Sequence, residues 1–583
     1  MQRRRSFVAV VRITSKTIKV FVSRITHYFY TFLCLQQFSA GHSNLANHAR
    51  NRHTEEVKVK LGEALLGPTR GALGDWITVK KIVSPEAKNM FGWIEWIVMA
   101  DLPVTVVEND LYKKRSNLSP TTYKTVTKHM EALLRLIKSG IKRGLPPTFG
   151  IIFDGWSCDG EHYVGIFATW VRDDGSVVKR LIACGVQDLP ETNDAAASFG
   201  FTADDIGDYI FDALASYGHD FSSVEFLTGD NAYVNGALCT KIEGWIYRNK
   251  GIRRSVPLVG CASHKLNLAV QSLCSENPIW SAAILRVHTL MVSLKSLKNR
   301  VKLAVVTSLN PQLRNDTRWR STYLMLKKYL KLVQETDNFQ KCSFDCTTCN
   351  LIPLYDVEDK DSEFSTIKNI VRCLKRFDEL CVWLQTDNPS EVKMSTVRFY
   401  FDKLLIDYPT LKRYLGKDSY LVHCPNFDNA ISKIQLAADQ GKSTVNLTHD
   451  ERAAVAMYAI GAGSGVEAIA QSDSDDDGEP SFIEQGKSEY DSKRPKKQPP
   501  YYSTLHISPT SNIVERLFSR CGLIMRPHRR LMDPSTLEML VMLRFNRDLW
   551  DERDVDTAIA RNYDVTRRDS DTPASTSTSS SLT

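Results

Sequence analysis

Phe149-Gly150-Ile151-Ile152-Phe153-Asp154-Gly155-Trp156-Ser157 marks the point where the chain changes character. Upstream, residues 51–147 are patterned for helices: Val126, Met130, Leu133, Leu134 and Ile137 share one face, and Gly140 offers a stop. From Phe149 to Ala269 the pattern is that of strands. Residues 149–153 read as a short apolar strand ending on Asp154, and 163–170 as a second, with Cys158-Asp159-Gly160 supplying the turn before it. Asp173-Asp174-Gly175 turns into a third strand at 177–184. An amphipathic helix over 203–217 carries Ile206, Ile210, Leu214 and Tyr217 on one stripe; strands at 224–227 and 256–259 follow. Tightly turned strands followed by alternating helix and strand predict a mixed α/β sheet flanked by helices.

Outward from this block the chain is helical for some two hundred residues after His264, with leucines such as Leu290, Leu294, Leu326 and Leu330 at helical spacing. Residues 472–500 (SDSDDDGEPSFIEQGKSEYDSKRPKKQPP) read as a disordered linker, and the Ser- and Thr-rich end as a disordered tail. Lys493-Arg494-Pro495-Lys496-Lys497 in that linker suits nuclear import. The whole chain has 583 residues, Lys plus Arg exceed Asp plus Glu by 75 − 67 = 8, and hydrophobic residues make up 43%. That is enough to bury a core of several domains, and the charge excludes a strongly acidic binder. Thirteen scattered cysteines predict reduced thiols in cytosol or nucleus. No stretch nears the ~20 apolar residues of a membrane span. The first 53 residues carry no Asp or Glu, which fits a basic arm, a misplaced start or a transit-like segment.

Asp154 and Asp230 follow apolar strands in FDGWS and LTGDN. If the strands are neighbours, both carboxylates emerge at one sheet edge, where a divalent cation would relieve their repulsion. Strand-end aspartates also serve as turn or helix-cap residues, and spacing alone favours that. Glu515 lies in Ser511-Asn512-Ile513-Val514-Glu515-Arg516-Leu517-Phe518-Ser519, on a helix whose apolar side is Ile513, Val514, Leu517, Phe518 and Cys521 and which Gly522 can end. Glu515 stands off that side and becomes a ligand only if the helix packs beside the aspartates. Cys261 and His264 form half a zinc pattern with no second half at finger spacing, and Cys342, Cys346 and Cys349 lack a fourth ligand.

FDGWS, LTGDN, GCASHKLNLAV, NDTRWRSTYLML and NIVERLFSRCG, followed by RRLMDPSTLEMLVMLRFNRDLW, together resemble the hAT superfamily of DNA transposases, in that family's order and over about residues 90–552. The resemblance implies an α/β RNase H-like catalytic domain interrupted by a large all-helical insertion. Asp154, Asp230 and Glu515 would be the catalytic carboxylates holding Mg²⁺ or Mn²⁺ for two-metal strand cleavage and transfer. His264 and Arg318 would help to place double-stranded DNA, and Trp319 would stack on a flipped base. Leu537, Leu540, Val541, Leu543 and Phe545 would belong to a dimerisation helix that starts at Asp533-Pro534 and is shared with a second copy. Cys34, His48 and His53 resemble three ligands of a BED-type zinc finger; Thr31 stands where the fourth belongs, so tight Zn²⁺ binding is not expected.

The expected organisation is a degenerate finger at 1–53, a helical region at 54–148, the first part of the catalytic core at 149–272, the insertion at 273–471 and the linker at 472–500. The closing helix and dimerisation region fall at 501–552 and the tail at 553–583. The expected partners are DNA and self, with no membrane, in the nucleus. The alternative function is a domesticated or inactive copy that binds DNA and dimerises as a regulator.

Overall fold

The apolar run from Phe149 becomes the centre of a five-stranded sheet: β4 (Phe149–Cys158), β5 (Glu161–Val171), β6 (Val177–Val186), β7 (Val224–Gly229) and β8 (Leu258–Gly260). These come from a computed structural model that describes residues 12–14, 17–22, 32–37, 83–186, 202–315, 318–335, 363–386, 388–442, 444–460, 501–525 and 532–570. The order is β6-β5-β4-β7-β8; β4, β5 and β6 are antiparallel, whereas β7 runs parallel to β4 and β8 parallel to β7. The mixed α/β sheet is therefore as the sequence predicts.

Asp159 and Gly160 turn the β4–β5 hairpin with φ of 52° and 91°, the two-residue geometry that Asp-Gly favours. One expectation is corrected. The first strand does not stop at Asp154 but runs on to Cys158, because antiparallel pairing with β5 continues after parallel pairing with β7 has ended at Ile152. Asp154 thus sits inside a strand at the point where one neighbour falls away.

Helices cover both faces. Strand alternation puts Phe153 on the side of α4 (Ala203–Ser216) and α5 (Tyr233–Lys250), where Tyr209 packs over Gly185 and the Tyr217 hydroxyl donates to the Ile182 carbonyl. Ile152 and Asp154 face the other way. There an extended segment, 501–511, crosses the sheet, and the buried hydroxyls of Thr169 and Thr228 donate to the His506 and Ser508 carbonyls. It leads into α15 (Asn512–Ile524) and then α16 (Pro534–Phe545). Gly522 does not end α15; the helix continues two residues further, and Trp156 packs against the glycine.

Among the described residues three helices precede the sheet: α1 (Pro85–Met99), α2 (Asp110–Arg115) and α3 (Tyr123–Gly144). After β8 come α6 (Ala262–Glu276), α7 (Pro278–Lys295), α8 (Leu297–Val306), α9 (Trp319–Glu335) and α10 (Glu363–Leu384). Leu266, Val287, Leu326 and Phe377 are central to their shared core. The helical block continues through α11 (Met394–Asp407), α12 (Lys412–Leu415), α13 (Pro425–Asp439) and α14 (His449–Ala454). Among the described residues no helix is long and apolar enough to cross a membrane.

The residues expected on the dimerisation helix α16 are packed largely within their own chain. The helix is apolar all round, as its sequence indicates, but its cover comes from its own chain: β6, α1, α3 and α15 pack on it. Leu537, Leu540, Val541 and Leu543 are at most 3% exposed, and Phe545 meets Phe167 edge to face. The four aliphatic side chains have no surface left to offer a second copy, whereas Phe545 is half-buried. The tail is also corrected: its first part is helical, α17 (Glu552–Ser570), and Val555, Ala558 and Ile559 are buried, with α1 and α3 as the helix's neighbours.

The unit at Met1–Ser84 contains a small antiparallel sheet of β1 (Arg12–Thr14), β2 (Thr17–Val22) and β3 (Phe32–Gln37), with Cys34 on β3. His48, His53, the three cysteines at 342, 346 and 349, the 472–500 linker with its basic cluster, and residues 571–583 lie outside the described residues.

Candidate active site at the sheet edge

Asp154, Asp230 and Glu515 are brought to one end of the sheet by three separate elements. Ile152 of β4 pairs with Thr228 of β7, so Asp154 on β4 and Asp230, just past the end of β7, both lie two residues beyond that pair. After Gly229, Asp230 turns the chain into α5: its Oδ1 accepts from the Ala232 amide at 3.1 Å and from Asn235 Nδ2 at 2.6 Å. Asn235 is itself buried, so it fixes this carboxylate from behind.

Glu515 arrives on α15, and a glycine sets how closely. Gly165 on β5 is the register partner of Asp154. A Cβ there would stand 2.8 Å from Leu517 Cδ2 and 2.9 Å from Val514 Cγ1. A side chain there would force Leu517 and Val514 on α15 to shift away from β5 beside Asp154. Gly165→Val should therefore lower the melting temperature, by an overpacking cost of ~1–3 kcal/mol. Gly140→Ala, with nothing within 4 Å of the added carbon, should not. Equal, unchanged melting of both variants would show that the helix does not depend on this contact.

The start of α15 is held by the C-x-x-H motif. Cys261, buried at the N-cap of α6, accepts from the Ser511 amide through Sγ at 3.4 Å, and the Ala262 amide donates to the Pro509 carbonyl at 2.8 Å. The cysteine joins β8 to the helix carrying Glu515, and burial pushes its thiol above its usual range. His264 lies half-buried in the first turn of α6.

The electrostatics match this geometry. The Asp154 carboxyl is pushed up to about 7, first by burial, then by the charge of Asp230 and, less strongly, of Glu515; the Gly155 amide and Arg318 act in the opposite direction. Arg318 contributes its guanidinium to the site, with Nη2 3.1 Å from Glu515 Oε2. Three acids, one of them reluctant to ionise, attract positive charge, and the chain itself supplies one cation. Among the described residues no three His, Cys, Asp or Glu side chains surround a common point closely enough to hold an ion.

Trp319, the next residue, is not presented to a ligand. It is 4% exposed, its ring lies against Tyr323 and Phe377, and its amide donates to Asn267 Oδ1 at 3.3 Å. The expected base-stacking face is spent on the core of the helical block.

Three buried polar residues escape the sequence. Asn235 shows only as a polar residue five beyond Asp230. Lys265 and Asp428 are buried beside a cavity of about 50 Å³ behind β8; burial lowers the lysine and raises the aspartate to about 6. Asp428 sits on α13, 163 residues along, so no local spacing could reveal the pairing. No protein-family model matches this chain, and no curated protein matches it.

Proposed function

We propose that this chain is an enzyme that cuts and joins DNA strands in the manner of a hAT transposase, on an RNase H-like sheet, with Asp154, Asp230 and Glu515 as carboxylate ligands of Mg²⁺ or Mn²⁺. One observation carries the reading: acids from β4, the end of β7 and a helix near the far end of the chain act together on Asp154. The helical block inserted between the mixed sheet and the helix α15 that returns to it supports the reading, since the motif resemblance implies that arrangement.

The donor set suits the cations named. All three groups are carboxylate oxygens, the ligands that hard divalent ions select, and the site already draws in Arg318. When bound, such ions polarise a phosphodiester and supply an activated hydroxyl. The protein's own part is placement. Asn235 and the Ala232 amide orient Asp230, Gly165 and Cys261 set the depth of α15, and Asp154 is ionised only above about pH 7 without a neighbouring cation. DNA is the partner we assign, with nuclear residence. A second copy of the chain is the other partner we assign, and on α16 only the half-buried side, with Phe545, is open to it.

Purified full chain, incubated with Mg²⁺ or Mn²⁺ and duplex DNA from the genomic sequence on either side of its gene, should cut at terminal inverted repeats within it. Asp154→Asn should abolish cutting and spare binding. The Arg318–Glu515 pair also favours a second reading, a retained DNA-binding regulator whose third acid is neutralised. Binding without cleavage under every cation would select that one.

A further inference from the structure

Arg318 has a fixed root and an exposed tip. Its carbonyl accepts from the Ser321 hydroxyl at 2.7 Å, and the buried Trp319 pins the next residue, yet its own side chain is 69% exposed. Arg320, two residues on, is committed to Asp378 at 2.6 Å. Arg318 is thus the guanidinium of this Arg-Trp-Arg run that reaches the acids. Glu515, by contrast, stands on a helix whose position Gly165 and Cys261 fix.

We propose that Arg318 exchanges Glu515 for a backbone phosphate of the nucleic-acid substrate, and that this exchange couples substrate binding to cation binding. The inference rests on the cation reading of the three acids given above. A guanidinium fork fits a carboxylate and a phosphate equally well, so the two compete for the same donors. An exposed pair of this kind is weak, so the exchange is cheap. When a phosphate takes Arg318, Glu515 is released and the site gains uncompensated negative charge, which strengthens its hold on a divalent cation. The reverse holds to the same degree, because coupling between two binding events is reciprocal.

The test is Mn²⁺ binding to the full chain at pH 8, followed by the EPR signal of the free ion, with and without a short DNA duplex whose own Mn²⁺ uptake is subtracted. In the wild type the duplex should tighten Mn²⁺ about 5- to 10-fold, within the usual range of such couplings. Arg318→Ala should bind Mn²⁺ about that much tighter without DNA, and the duplex should then add less than about 2-fold. Arg318→Lys, which keeps the charge, should retain part of the coupling. An Arg318→Ala chain that binds Mn²⁺ no tighter than wild type, or that keeps the full DNA effect, overturns the exchange. Asp154→Asn separates the two failures. If it loses Mn²⁺ while Arg318→Ala matches wild type, only the exchange falls. If wild type binds no Mn²⁺ that Asp154→Asn loses, the cation reading falls, and the exchange with it.

Discussion

Asp154→Asn should make the cation-free protein more stable at pH 8 and leave it nearly unchanged at pH 4. The wild-type carboxyl titrates near 7 in the fold, against 3.8 for an ordinary aspartate, because burial and the charges of Asp230 and Glu515 oppose its ionisation. The folded state therefore holds this proton more tightly than the unfolded chain does. Its contribution is fully present below about pH 4, is lost progressively as pH rises through 7, and stays lost above that. A shift of this size corresponds to roughly 2–4 kcal/mol, the upper figure being the full linkage value. Asparagine has the same shape and no such titration. Urea unfolding of both proteins between pH 4 and 8 should show the curves separating across that window and then running parallel. Curves that coincide throughout would mean that Asp154 is an ordinary exposed acid and that the three carboxylates do not act on one another.

Leu540→Asp combined with Leu543→Asp should prevent folding of the single chain rather than merely separate two copies. Both leucines are at most 3% exposed, and the packing around them includes the sheet as well as α1, α3 and α15. Placing unpaired charge there costs several kcal/mol at each site, a large share of the stability of a typical domain. The control is Leu297→Asp on α8, where the side chain is 81% exposed and the change should be tolerated. Circular dichroism and sedimentation separate the outcomes. A double mutant that is folded and monomeric, beside a dimeric wild type, would restore α16 as an interface and contradict the burial described above.

What the sequence disclosed follows the reach of each signal. Alternation along residues 149–186 and the Asp159-Gly160 turn are local, so the three antiparallel strands could be read directly. The apolar stripe of α15 and the Asp533-Pro534 start of α16 are local too. The order β4-β7-β8 depends on which strand pairs with which, and only the fold settles it. The same limit explains the two largest corrections. A helix apolar on every side must be covered, but its sequence does not say whether its own chain or another supplies the cover. An Arg-Trp pair at a helix start looks alike whether the indole faces a ligand or Phe377. Asp154, Asp230 and Glu515 were nameable from their motifs, whereas the Gly165 gap, the Cys261–Ser511 bond and the Arg318–Glu515 pair arise from contacts between distant segments.

The central claim is that these three acids form one cation site. Crystals of the full chain grown at pH 8 and soaked in Mn²⁺, with anomalous scattering collected near the manganese edge, test it most directly. A strong peak is expected between the Asp154 and Asp230 carboxylates, with Glu515 turned from Arg318 toward it, and no peak in Asp154→Asn crystals. A fully soaked crystal with no manganese at that edge and Glu515 still on Arg318 would contradict it.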